Sequence, residues 1–340
     1  MAMTEAQLKE LIQTGGTNLY VLYGAEGYLV EQYARLVAKH TVEEGFDAFN
    51  LQRFDGQSVT IEQLEEAVEA LPLMTDRKCV QVRDMDAAAD AERLAALIAQ
   101  VPDSCVLVFW QMTVQPDRRK GWKTFLEQAE KVGVVMNFEH KSVVDVAKML
   151  AGGAKRRGCR LDVEDARYLV EQVGNDLNLL QGELDKLCAL VGEGEITRRH
   201  IDAACPKNLE ARVFDLSKAI LRRNHQEAYE LLHQLSTRRE EPVAVLGVLS
   251  NAYADLYRAK VATAAGVSAD SLAADFKSYK GKEFRLRNGA RDAARLSVPV
   301  LRDSLEILAR TDTALKLEHG TEWALLEQTV ARLIGRAQEG

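Results

Sequence analysis

The chain has 340 residues, with 44 lysines and arginines against 51 aspartates and glutamates, a net charge of −7 at pH 7. Hydrophobic residues make up 47% and charged residues 28%, an ordinary globular composition that excludes disordered, collagenous and membrane-spanning classes. The acidic balance speaks against tight autonomous binding of nucleic acid but leaves room for local basic patches, and the length allows two or three domains.

Leu19-Tyr-Val-Leu-Tyr23 reads as a strand ending at Gly24. A helix follows over about 27–44, with Leu29, Tyr33, Leu36, Val37 and His40 at three- and four-residue steps. Asn50-Leu-Gln-Arg-Phe54 is a second strand, polar enough for an edge, closed by Asp55-Gly56. Thr60 caps a helix with Ile61, Leu64, Val68 and Leu71 on one face. Lys78-Cys-Val-Gln-Val-Arg83 is a third strand, and a helix over 91–100 leads to a fourth, Cys105-Val-Leu-Val-Phe-Trp110, whose continuous apolarity suits the centre of a sheet. A helix over about 121–131 precedes a fifth strand, Val132-Gly-Val-Val-Met136. Five strands separated by helices predict a parallel sheet covered on both faces.

After about residue 140 no further strands are expected. Ser142, Asp162 and Thr197 are placed as helix caps, and Leu177, Leu180, Leu184, Leu187 and Val191 form an apolar stripe closed by Gly192. Pro206-Lys-Asn-Leu209 reads as a linker. Helices are then expected over about 214–222, 225–237, 242–265, 268–276, 282–293, 298–318 and 321–336. Five scattered cysteines (Cys79, Cys105, Cys159, Cys188, Cys205) without a C-x-x-C pair speak against zinc and disulfides and fit a reducing cytoplasm. The histidines are equally dispersed, so no metal site is expected. The first ten residues lack the pattern of a secretory signal.

Strand, Gly24 and helix together occupy the position of a phosphate-binding loop, which reads G-x-x-x-x-G-K-[ST] because backbone N–H groups, a lysine and a hydroxyl must meet phosphates and Mg²⁺. Counted from Gly24, the second glycine falls on Leu29, the lysine on Val30 and the hydroxyl on Glu31. Gly24 and Gly27 remain as turn residues, and Glu26 would repel a phosphate. The third strand ends in Arg83-Asp84-Met85-Asp86 rather than a paired Asp-Glu, so Asp84 reads as a turn residue. The scaffold is NTPase-like without nucleotide chemistry, and no catalytic residue, cofactor or metal is expected.

These residues, with Glu26, Tyr28-Leu29, Phe49-Asn50, Phe54-Asp55-Gly56, Leu71-Pro-Leu-Met-Thr-Asp-Arg-Lys78, Gly174-Asn-Asp-Leu177, Glu183-Leu-Asp-Lys-Leu187, Val213-Phe-Asp-Leu216 and Leu325-Leu-Glu327, occur in an order that resembles the delta subunits of bacterial DNA polymerase III. The resemblance spans nearly the whole chain. It implies a mixed α/β and all-α chain: an AAA+-like domain with a five-stranded parallel sheet (1–140), a helical lid (141–208) and a helical collar for oligomerisation (209–340). It also implies a clamp-loader subunit of the polymerase holoenzyme, a nucleotidyltransferase, that has no activity of its own and opens the sliding clamp for loading onto primed DNA. Implied partners are the clamp (beta subunit), the ATPase subunits (gamma/tau) and delta-prime through the collar, and primed DNA, with no membrane.

The family's clamp contact, two apolar side chains before the third strand, falls here on Leu73 and Met74, with Leu71 as support. Many relatives carry an aromatic at the second position, so Met74 is a departure. Pro72 disrupts the helix and the following residues are polar, which makes Leu73 and Met74 exposed anchors; the alternative is that both are core. Asp117-Arg-Arg-Lys120, Lys155-Arg-Arg157 and the basic stretch 277–295 are DNA candidates, against a reading as solvated helix faces. Rival functions are an active AAA+ ATPase, a delta-prime-type subunit, for which the Ser-Arg-Cys signature is missing, and an unrelated scaffold protein.

Overall fold

The computed structural model describes residues 3–276, 279, 284–317 and 320–338. They form two compact units, 1–141 and 142–340. The expected boundary after residue 208 falls inside the second.

In the first unit, five parallel strands, β1 (Leu19–Tyr23), β2 (Leu51–Asp55), β3 (Lys78–Arg83), β4 (Cys105–Trp110) and β5 (Val134–Asn137), lie in the order β2-β3-β4-β1-β5. β4 is central and fully apolar because helices cover both of its faces. β2 is the edge and is only half-buried. The flanking helices are α1 (Glu5–Thr14), α2 (Gly27–Thr41), α3 (Asp47–Asn50), α4 (Ile61–Glu69), α5 (Ala91–Ile98) and α6 (Lys120–Val132). Trp122 and Phe125 on α6 pack edge-on with one another, and Phe125 also meets Phe109 of β4. The buried Gln81 of β3 donates through Nε2 to the Ala34 carbonyl of α2 at 2.8 Å, which ties the helix to the sheet. All strands being parallel, the loops leaving β1, β3 and β4 gather at one sheet edge, and the segment entering β3 lies at the other.

The second unit is mostly helical: α7 (Val143–Arg156), α8 (Val163–Val173), α9 (Leu177–Val191), α10 (Arg198–Ala204), α11 (Leu209–Leu221), α12 (His225–Thr237), α13 (Pro242–Ala264), α14 (Ala269–Asp275), α15 (Phe284–Asp292), α16 (Val298–Leu317) and α17 (Glu322–Gln338). Ser142 and Asp162 cap α7 and α8 by accepting N–H bonds from Asp145 and Glu164. The expectation that strands stop near residue 140 is corrected by a short parallel pair, β6 (Arg160–Leu161) and β7 (Glu195–Ile196). Two residues per strand carry no alternation to read. α11 starts five residues before the expected 214 because Asn208 accepts from Ala211 N at 2.7 Å. The buried Asp255 of α13 takes hydrogen bonds from Tyr279 and from Arg285 Nε, so its charge is compensated internally. No described helix is long and apolar enough to cross a membrane.

Candidate functional site

The carboxyl ends of β1 and β4 flank the switch point of the sheet, where open α/β folds bind ligands. Here the chain fills its own crevice. Gly24 N donates to Gln115 Oε1 at 3.0 Å, and Gln115 Nε2 is anchored on the carbonyls of Gln111 and Met112. Glu26 N donates to the Phe138 carbonyl at 2.9 Å. Two backbone donors of the loop, Gly24 N and Glu26 N, are thus spent on protein oxygens. Gly24 has φ 130°, and a β-carbon there would strike the Phe138 carbonyl, so only glycine fits. Gly27 opens α2 beside the Met112 side chain.

At the counted loop positions, Leu29 and Val30 are core residues, and Glu31 pairs with Arg35 at 2.6 Å. Glu26 is buried with Oε2 3.6 Å from His140 Nδ1. Asp84, at φ 55°, accepts through Oδ1 from the amides of Met112, Thr113 and Val114 at 2.6, 2.7 and 3.1 Å. It closes the turn after β4. Burial disfavours its charge, yet those amide donors outweigh burial and hold its pKa below the usual carboxylate value. Asp86 takes a two-pronged ion pair from Arg119 at 2.8 and 2.9 Å. Among the described residues no group of three His, Cys, Asp or Glu could hold a metal ion.

The segment between α4 and β3 is different in kind. α4 ends at Glu69, and the buried Lys78 at the start of β3 donates through Nζ to the carbonyls of Ala67 and Ala70. Burial lowers the lysine's pKa. The chain is thereby turned outward before Pro72. Leu71, Leu73 and Met74 are 84%, 49% and 85% exposed, so none of them is core. Asn50, itself buried, accepts from Leu73 N and donates to Leu73 O and to Thr75 Oγ1. Met74 sits at φ 56°, a left-handed backbone that residues other than glycine rarely adopt. Phe49, one residue before Asn50, is 60% exposed and adds a further apolar side chain on the adjoining helix α3. Asn50 and Phe49 entered the sequence reading only as part of a strand motif. Their role depends on a contact 23 positions away that no local pattern signals.

Of the basic candidates, Arg119 is spent on Asp86 and Asp117, and Arg157 on Asp185. Arg118, Lys120, Lys155 and Arg156 are exposed. Lys277, Lys280 and Lys282 lie outside the described residues.

Residues 20–136 match the family "DNA polymerase III, delta subunit", and residues 210–333 match its C-terminal domain. The chain belongs to the DNA polymerase III delta-subunit family. It is 23% identical over 329 residues to DNA polymerase III subunit delta of Bacillus subtilis, covering 94% of each chain. It is 22% identical over 326 residues to the Escherichia coli subunit, covering 94% of this chain and 93% of that one. The fold agrees with the solved Bacillus subtilis DNA clamp loader delta protein at a TM-score of 0.57 and 23% identity, over 97% of this chain and 99% of the other. The five-stranded parallel α/β unit followed by helices is thus the fold of a delta subunit of DNA polymerase III.

Proposed function

We propose that this delta-family chain grips the sliding clamp through Leu73 and Met74, supported by Leu71, favours the clamp's open form, and does so without binding or hydrolysing ATP. The observation that carries the reading is the exposed apolar loop at 71–74, fixed in place by the buried Asn50. A left-handed Met74 is a local strain, and such strain persists where the surrounding structure holds a side chain for use. Burying Leu73 and Met74 in a partner's pocket contributes roughly 1.5–3 kcal/mol each before association costs. That suits an anchor that works together with neighbouring contacts.

The absence of nucleotide chemistry is supported by the crevice after β1, where Gln115 and Phe138 take the amide protons of Gly24 and Glu26, and by Leu29, Val30 and Glu31 at the counted positions of the second glycine, the lysine and the hydroxyl. The partner set follows from the family: a ring clamp, ATPase loader subunits and delta-prime joined through the helical collar at 209–340, and primed DNA, in the cytoplasm. The energy of loading comes from the ATPase partners.

The test is capture of the organism's sliding clamp by wild type and by Leu73→Asp/Met74→Asp. The expected result is loss of binding with an unchanged melting temperature, because neither side chain supports the core. Undiminished capture removes the site. Micromolar affinity for a labelled ATP analogue overturns the nucleotide-free reading.

A further inference from the structure

In the second unit, α8, α11, α13 and α15 enclose a concavity of about 590 Å³, within the size range of pockets that hold small organic molecules. Two close approaches frame it. α8 stops before Gly174, and Asn208 at the head of α11 donates its N–H to the Gln172 carbonyl at 2.7 Å. Gly289 of α15 lies so near the Asp255 carbonyl of α13 that a β-carbon there would stand 3.2 Å from it. The helices are pinned at these two points, and the space between them stays open. Val170, Phe214, Val248, Ala252 and Leu256 give it apolar walls.

Five carboxylates and two cations also line the space. Three of the carboxylates are paired: Asp215 with Lys207 at 2.7 Å, Asp255 with Arg285 at 2.8 Å and Asp292 with Arg291 at 3.4 Å. Arg285 lies over the Phe214 ring as well. That leaves Glu171 and Glu210 against Lys218. Glu210 is exposed to water, whereas Glu171 is half-buried and makes no hydrogen bond or ion pair among the described residues. The positive charges that act on it are Arg198, Lys218 and Arg167, and two of these are held elsewhere, Arg198 by Asp165 and Arg167 by Glu164. Burial prevails over them and raises the Glu171 pKa. Next to it, Gln172 carries a buried Oε1 with no hydrogen-bond partner, an acceptor that protein interiors rarely leave unfilled.

The lining says what chemistry fits. It offers acceptors in excess, a carboxylate that lacks a counter-charge, and apolar walls that include an aromatic ring. A protonated amine is all donor and no acceptor, so it answers the first two. An aromatic body answers the third. An anion would meet Glu171 as a like charge, and a sugar would leave hydroxyls unpaired against the apolar walls. We propose that this concavity binds a small organic cation, an amine carried on an aromatic body, with Glu171 and Gln172 Oε1 accepting its N–H groups. An occupant there touches both α8 and α11 and so ties these helices together. The proposal stands on this cavity alone, whether or not Leu73 and Met74 touch the clamp.

The test is isothermal titration calorimetry of the full chain with two probes that share one ring, tryptamine and indole-3-acetate. The expected result is saturable binding of tryptamine with a Kd of about 1 mM or below. Indole-3-acetate, the same ring with the opposite charge, should bind about tenfold more weakly or not at all. Glu171→Gln should raise the tryptamine Kd about tenfold. Val248→Phe fills the space from α13 and should remove binding. Circular dichroism and melting are recorded for each variant. Glu171 is half-buried and unpaired, so Glu171→Gln should fold as wild type does, and it carries the test if Val248→Phe does not fold. Wild type that takes up no tryptamine at about 10 mM overturns the proposal. So does equal affinity for the two probes, and so does an unaltered tryptamine affinity in either folded variant.

Discussion

Asn50 takes the amide proton of Leu73 at 2.7 Å and returns one to the same residue's carbonyl at 2.9 Å, so one buried side chain fixes both ends of one exposed residue. Asn50→Ala removes these bonds and leaves the backbone polar groups of Leu73 without their partner. The expected loss is about 1–3 kcal/mol of stability, and clamp capture should weaken although Leu73 and Met74 are both present. Thermal melting and clamp affinity measured on the same preparation check this. A variant that keeps full affinity shows that the loop holds its shape without Asn50.

Phe49 neighbours this hold and is exposed. On the proposed reading it lies at the border of the clamp contact. Phe49→Asp should reduce clamp affinity by a few-fold, less than Leu73→Asp/Met74→Asp, with little change in melting. Surface plasmon resonance with immobilised clamp ranks the three.

Gln115→Ala frees the Gly24 amide from its side-chain acceptor. Stability should fall by about 1 kcal/mol. No nucleotide affinity should appear, since Leu29, Val30 and Glu31 supply neither the lysine nor the hydroxyl of a working loop. Equilibrium binding of a fluorescent ATP analogue reads the outcome, and saturable micromolar binding by the variant contradicts it.

Asp84 makes stability depend on acidity. Its carboxyl is buried, which opposes ionisation, but three amide donors outweigh that and lower its pKa below the ordinary 3.8. A carboxyl with a depressed folded-state pKa contributes stability above the unfolded pKa and loses it as pH falls through the folded value. Asp84→Asn should therefore melt lower than wild type at pH 7, and the gap should narrow below pH ~4. Melting temperatures across pH 3–7 test the convergence.

The parts of the fold that rest on nearest neighbours in the chain could be read from the sequence. Strands β1 and β4 carry unbroken apolar runs, and α7, α8 and α9 begin at capping residues two or three positions from the amides they satisfy. α1 escaped notice although Thr4 and Gln7 form a reciprocal cap, because its apolar stripe has only Leu8 and Ile12 buried. Pro72 made the outward turn at 71–74 legible. What holds that turn was not legible, since Asn50 lies 23 residues away, and neither was the filled crevice, since Gln115 lies 91 residues from Gly24.

The parallel sheet has a mechanical consequence for timing. Gly24 stands at the carboxyl edge, while residues 71–77 enter the amino edge, a strand of six residues or about 20 Å away. Under the proposed reading, a chain with its crevice plugged sends no nucleotide signal along that distance. The apolar tip is then always deployed, and a schedule for its use must be imposed from outside, by neighbours that shield the tip or leave it bare.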